Sequence, residues 1–222
     1  MANTALGTPY VTSSDYVTNY PTTSLALANA IDAFGGVRVY TNEAARNAGI
    51  TAPFEGMVAY LTSPTVPAAT GGTTYVPTGV TTVYNGSAWV CTTEVGAFTS
   101  NGGTYANAAF GATLSGSPGT NPSVTLSTGA TALVTISASL SASALMSIYM
   151  DVAVSGATTI PAGTVSSQGL LWQTSMTNLA NIQTATFIVS GLTAGANTFT
   201  LNYANNNTST YASRRIIVKG IA

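Results

Sequence analysis

The chain has 222 residues, 45% of them hydrophobic and only 5% charged, with a net charge of -1, where a soluble domain usually carries about 25% charged residues. Its surface must therefore be covered by Thr, Ser, Asn and Gly, and copies of it meet almost no electrostatic resistance to association. The lack of histidine excludes Ser-His-Asp and Cys-His catalysis and histidine-ligated metals, the lone Cys91 excludes an intrachain disulfide, and five cations against six carboxylates exclude a phosphate-tracking nucleic-acid surface.

In chain order, the opening MANTALGTPY has no basic or long apolar region, so no signal peptide is expected, and no run approaches the ~18 apolar residues of a membrane helix. Residues 1–36 read as an extended polar lead and one helix. In YPTTSLALANAIDAFGG, Thr22 or Thr23 can cap the helix, Leu27, Ile31 and Phe34 share a stripe, and Gly35 ends it. Residues 37–97 read as a small α+β module. VRVY is a strand, TNEAARNAG a helix with Glu43 in its first turn, and EGMVAYL a second strand. Residues 62–79 read as a surface excursion, and TTVYNGSAWV as a hairpin turning tightly at Asn85-Gly86 with positive φ at both positions. Tyr84 and Trp89 then cover a small core, and Cys91 is a small buried hydrophobe.

Residues 98–222 change character. Eight β runs recur, around 105–115, 123–128, 132–140, 144–155, 164–174, 182–192, 196–204 and 211–221. ALVTISASL puts Val134, Ile136, Ala138 and Leu140 on one face, and NTFTLNY does the same with Phe199, Leu201 and Tyr203. The expectation is a mainly β protein: an eight-stranded antiparallel β-sandwich of jelly-roll type behind a small α+β module and an N-terminal helix.

The closing stretch TSTYASRRIIVKGIA holds Arg214, Arg215 and Lys219, three of the five cations. As a strand it turns Arg214, Ile216 and Val218 inward, with the Arg214 head reaching water at the strand entrance. Arg215, Ile217 and Lys219 then point outward. After Glu94 the only carboxylate is Asp151, in IYMDVAV, outward beside Tyr149. Asp151, Tyr149, Arg215, Ile217 and Lys219 are therefore expected to form an oligomer interface in which Asp151 pairs with Arg215 or Arg214, within or between subunits. YANNNTSTY forms a polar loop whose Asn205, Asn206, Asn207 and Tyr211 are candidates for receptor contact. The carboxylates are scattered without a shared motif, so a carbohydrate-processing enzyme is a remote alternative, and no catalytic, metal or cofactor site is expected.

Three blocks carry a family resemblance. GTPYVTSSDYVTNYPTTSLALANAIDA resembles the N-terminal region of minor virion proteins of tailed bacteriophages. NEAARNAGITAPFEGMVAYLTS with TTVYNGSAWV resembles a module recurrent in phage tail-fibre and head-fibre proteins. ATFIVSGLTAGANTFTLNY with ASRRIIVKGIA resembles the C-terminal β-sandwich heads of such appendages. The resemblance implies a homotrimer, made in the host cytoplasm and resident in the virion, with a head like the trimeric tumour-necrosis-factor-type jelly roll. It also implies docking on other virion proteins through the N-terminal part, with Tyr10, Tyr16, Tyr20, Leu27 and Ile31 as contact candidates. A host surface glycan or protein is a further expected partner; nucleic acid and membrane insertion are not. A purely structural capsid or tail decoration protein is the alternative.

Overall fold

The computed structural model describes residues 2–3, 9–10, 37–163, 170–173 and 179–222. The chain divides into two compact units, Met1–Arg38 and Val39–Ala222. In the first, β1 (Ala2–Asn3) and β2 (Pro9–Tyr10) pair antiparallel, with Ala2 opposite Tyr10. The helix expected over 22–34, with Leu27 and Ile31, lies outside the described residues, as do Tyr16 and Tyr20.

The second unit is built on antiparallel β-sheets. A small sheet runs in the order β3 (Arg38–Tyr40), β4 (Val58–Leu61), β7 (Val80–Tyr84), β8 (Trp89–Cys91). The helix α1 (Glu43–Gly49) follows β3, and Asn42 caps it by accepting the Ala45 N–H on its side chain at 3.0 Å. Ile50, Met57 and Ala59 form a small core beneath Tyr40, Tyr84 and Trp89. The expected hairpin is present, with Tyr84 opposite Trp89 and their rings 5.5 Å apart. Its turn differs from the tight form: only Gly86 has positive φ, at 90°. The Asn85 carboxamide oxygen instead accepts the N–H groups of Ser87 and Ala88 and the Ser87 hydroxyl, which closes a four-residue loop.

Two larger sheets enclose the main core. Sheet I runs β15 (Asn181–Ser190), β12 (Thr131–Ala142), β17 (Ser209–Ile221), β9 (Val95–Thr99), β6 (Thr73–Tyr75), with β10 (Gly103–Tyr105) also on β17. Sheet II runs β14 (Leu170–Gln173), β13 (Ser147–Gly156), β16 (Gly195–Asn205), β11 (Ser123–Thr128), β5 (Ala68–Thr70). Strict alternation dictates which face goes inward. Along β12, Ala132, Val134, Ile136, Ala138, Leu140 and Ala142 are buried while the intervening residues reach the surface. They meet Met150, Val152, Phe199 and Leu201 of sheet II in one core. Fully burying each such large side chain is worth ~1.5–3 kcal/mol.

Seven of the eight expected runs meet described strands of these sheets. The eighth, expected over 105–115, shares only Tyr105 with β10; beyond it the chain makes only isolated bridges, Ser115 to Thr104 and Gly111 to Tyr203. Stretch 62–79 is also more than an excursion, because β5 pairs with β11 and β6 with β9. The expected division between 97 and 98 falls inside β9 (Val95–Thr99), so the stretch up to 97 contributes strands to both large sheets. Eleven strands, rather than eight, make up the two sheets among the described residues.

Candidate functional site

The candidate residues gather around the last two strands, and one irregularity decides where they point. Ser137 pairs with Arg215 but Ser139 with Ala212, so β17 carries one extra residue between these pairs. Ser213 takes up the bulge with a left-handed φ of 48° and is exposed. The bulge inverts the alternation. Ahead of it the odd-numbered Ser209 and Tyr211 face inward; behind it the even-numbered Arg214, Ile216 and Val218 do.

Arg214 and Tyr211 therefore meet Tyr203 in the interior. Tyr203 lies 4.8 Å from the Tyr211 ring, and the Arg214 guanidinium lies 5.6 Å from the Tyr203 centroid. Arg214 donates to the Tyr203 hydroxyl at 2.9 Å, to the Asn121 carboxamide oxygen at 3.2 Å and to the Pro118 carbonyl, with a longer contact to the Asn101 carbonyl. The Tyr203 hydroxyl donates onward to Asn121 at 2.5 Å. Arg214 is 1% exposed, so its head does not reach water as expected. Neutral oxygens, not a carboxylate, hold its charge. Burial pushes the Tyr203 phenol up to about 12, against the opposing pull of Arg214. Tyr211 is likewise pushed up to about 12 by burial. Its hydroxyl donates to the Ala204 and Tyr149 carbonyls.

The four receptor-contact candidates split accordingly. Tyr211 and Asn205 are buried. Asn205 donates from its carboxamide to the Tyr105 carbonyl at 2.8 Å and to the Ser209 hydroxyl. These two are interior struts, which corrects their expected role. Asn206 and Asn207 are exposed in the β16–β17 turn.

The expected interface divides as well. Tyr149 and Asp151 lie on β13 of sheet II; Arg215, Ile217 and Lys219 lie on β17 of sheet I, all directed away from the shared core. They belong to opposite outer faces and form no common surface within a subunit. Asp151 is 1% exposed. One oxygen accepts the Val152 N–H and the other the Gly163 N–H, each at 2.8 Å. Burial raises its pKa, partly offset by these two amides. The pairing with Arg214 or Arg215 within the subunit is absent: Asp151 anchors a turn of its own chain. Arg215 stacks instead over Phe98, 5.3 Å from the ring centroid.

A hollow of about 430 Å3 opens beside the exposed asparagines, lined by Ala108, Phe110, Tyr149, Ala204, Asn205 and Asn206. Its floor is where Tyr149 pairs with Ala204. Its far wall is the segment after β10, which the Gly111–Tyr203 bridge and an Asn205 N–H to Asn107 carbonyl bond hold against β16. The sequence pointed to Asn206 and Tyr149 but not to Phe110, which carries no periodic signal. Arg46 was also missed. It is buried on α1, with its guanidinium 4.6 Å from the Trp89 centroid and donating to Thr82. Glu43, expected only to complement the helix dipole, accepts the N–H groups of Thr65 and Val66 and so fixes the approach to β5.

No family model matches the chain, and no curated protein does. Among solved structures, the Eiger tumour necrosis factor of S. frugiperda is similar at 11% identity over 58% of this chain and 92% of that one, with a TM-score of 0.37. The Arthrobacter globiformis T6 isomalto-dextranase complexed with panose is similar at 14% identity, over 64% of this chain and 26% of that one, with a TM-score of 0.29. The Clostridium thermocellum endo-1,4-beta-D-xylanase 10B complexed with xylohexaose gives 8% identity over 55% and 27%, with a TM-score of 0.27. The match thus spans about a quarter of each of these two bacterial chains. Similarity this distant assigns neither activity nor partner.

Proposed function

We propose that the chain is a non-enzymatic structural protein of a bacteriophage particle: a homotrimeric appendage of fibre, spike or collar type. It docks by its N-terminal part on other virion proteins and presents the β-sandwich outward, with host adhesion as a further role. The observation that carries the proposal is the outer face of sheet I. Ile182 and Ile188 are 73% and 48% exposed on β15, and Tyr75 is 49% exposed on β6. Between them stand the half-buried Ile217 and the Phe98–Arg215 stack. Arg215 and Lys219 are the cations of this face, and none of its outward residues is a carboxylate. A face of threonine, serine and exposed isoleucine suits burial against a sister copy of the chain better than permanent hydration.

The strand order supports a jelly roll of the tumour-necrosis-factor type as the finer fold. Taken along the chain, β9, β12, β15 and β17 belong to sheet I, while β11, β13, β14 and β16 belong to sheet II. The chain thus crosses between the sheets as it does in two nested Greek keys. Light scattering of the full chain should give the mass of three copies, and labelled antibody should decorate intact particles. A monomer at micromolar concentration would overturn the appendage.

The burial of Asn205 and Tyr211 favours a second reading, a decoration protein that recognises nothing, because it removes half of the expected polar contact set. Particles lacking the chain would then adsorb to host cells at the normal rate.

A further inference from the structure

We infer that the hollow bounded by Phe110, Tyr149 and Asn206 is a binding site for one neutral saccharide unit. This rests on the adhesion reading only for the source of the ligand, a host surface glycan. The site itself rests on its lining. Its volume of about 430 Å3 lies within the ~300–1,000 Å3 typical of small-molecule sites. Two aromatic side chains, Phe110 and Tyr149, line it together with two alanines. Aromatic rings offer the flat apolar surface that the C–H face of a pyranose stacks on. The small Ala204 side chain on the floor and Ala108 on the far wall leave room between the rings.

The polar equipment is amide rather than ionic. Asn206 is exposed, and its carboxamide makes no hydrogen bond among the described residues, so both its donor and its acceptor remain for vicinal hydroxyls. The described lining carries no formal charge. The nearest charge along the same face of β13 is Asp151, two residues from Tyr149, under the Gly163 turn. A carboxylate in that position repels an acidic sugar and leaves a neutral one unaffected. The Phe110 ring and the Tyr149 backbone are also held in place. Phe110 precedes Gly111, which is bridged to Tyr203, and its ring closes over Gly163, where an added Cβ would lie 3.1 Å from it. Tyr149 has its carbonyl bonded by the Tyr211 hydroxyl. The interior struts thus position the walls, and the exposed asparagine supplies recognition.

The full chain is titrated by calorimetry and saturation-transfer NMR with glucose, galactose, N-acetylglucosamine and, as the anionic probe, glucuronic acid. The expected result is saturable millimolar binding of at least one neutral sugar, weakened about tenfold in Tyr149→Ala and in Asn206→Ala. Tyr149→Phe, which keeps the ring, stays within about threefold of the parent. Thr186→Ala, on the outer face of the other sheet, leaves binding unchanged. Absence of saturable binding to every neutral probe, binding indifferent to both alanine variants, or a preference for glucuronic acid would each overturn the site. Chain mass and particle association, measured alongside, separate the two failures. A particle-bound trimer that takes no neutral sugar loses the site and keeps the appendage. A sugar-binding chain absent from particles loses the appendage and keeps the site.

Discussion

Neighbouring arginines on one strand are expected to respond to truncation by very different amounts. Arg214 makes three short hydrogen bonds to neutral oxygens of Tyr203, Asn121 and Pro118. Hydrogen bonds to a charged group are worth ~1.5–3 kcal/mol each, so their gross value is about 4.5–9 kcal/mol. Against this stands a desolvation cost of several kcal/mol for a buried guanidinium. Arg214→Ala removes both, but it leaves the Pro118 carbonyl short of a donor and deletes a fully buried stem. The net loss expected is about 3–5 kcal/mol, the range for truncating one member of a buried charged network. At ~2–4 °C per kcal/mol for a domain of this size, Tm falls by roughly 6–20 °C. Arg215, which stacks on Phe98 at the surface, should cost about 0.5–1 kcal/mol when changed to alanine. Thermal unfolding by near-ultraviolet circular dichroism measures both. Hydrogen exchange adds a local readout, since Arg214 tethers both ends of the 101–121 segment: the Thr104 and Ser115 amides, which bond each other's carbonyls, should lose protection in Arg214→Ala alone. A loss below about 1 kcal/mol with unchanged protection of those two amides would refute the assignment of Arg214 as an interior tether.

Tyr211→Phe keeps the ring packed on Tyr203 but gives up the hydroxyl bonds to the Ala204 and Tyr149 carbonyls, so denaturant unfolding should show a loss of about 1–2 kcal/mol. Ser213→Gly should be neutral or stabilising by up to about 1 kcal/mol, whereas Ser213→Val should cost about 1–2 kcal/mol, because only the former accepts a φ of 48° freely. Tyr203 and Tyr211 should stay protonated well above the ordinary phenol range, titrating near about 12 by ultraviolet absorbance. Their folded pKa values are raised, so the stability they contribute is complete below the unfolded value of about 10 and is lost as pH rises toward 12.

The large sheets were legible wherever one face is buried along a whole strand. In β12 the Val134, Ile136, Ala138 and Leu140 alternation has a single solution, because a one-residue slip would expose all four. The outward direction of Ile217 and Lys219 follows from the same period. The period cannot report a bulge. Ser213 looks like any polar strand residue, yet its left-handed φ is what turns Tyr211 from the loop into the core. Short edge strands fail for a different reason: β5 and β6 have three residues each in a Pro-, Thr- and Gly-rich stretch, and only their partners in the sheets define them. Asn85-Gly86 reads as a backbone-driven turn, but a side-chain oxygen with three donors competes with that geometry and wins. Asp151 reads as a surface partner for the basic cluster because nothing periodic announces the turn that brings the Gly163 N–H back to its carboxylate.

The fate of the basic cluster bears directly on how copies would associate. Of its three cations, Arg214 is internal, which leaves Arg215 and Lys219 for the outer face of sheet I. Asp151 is 1% exposed and holds the Val152 and Gly163 N–H groups, so it is not presented to a second subunit's arginine. Association through this face therefore draws on Ile182, Ile188, Ile217, Phe98 and Tyr75 rather than on ion pairs. Apolar burial and ionic attraction respond differently to salt: at 1 M the screening length shrinks to ~3 Å and exposed charge pairs weaken sharply, while apolar burial is unweakened. Sedimentation across low and high salt should accordingly show an oligomer whose dissociation constant changes by less than about threefold. Ile188→Asp, which puts a carboxylate among the exposed isoleucines without touching the core, should weaken it by at least about tenfold. An oligomer that falls apart in salt and tolerates Ile188→Asp would locate the contact elsewhere and return the cations to the role of interface partners.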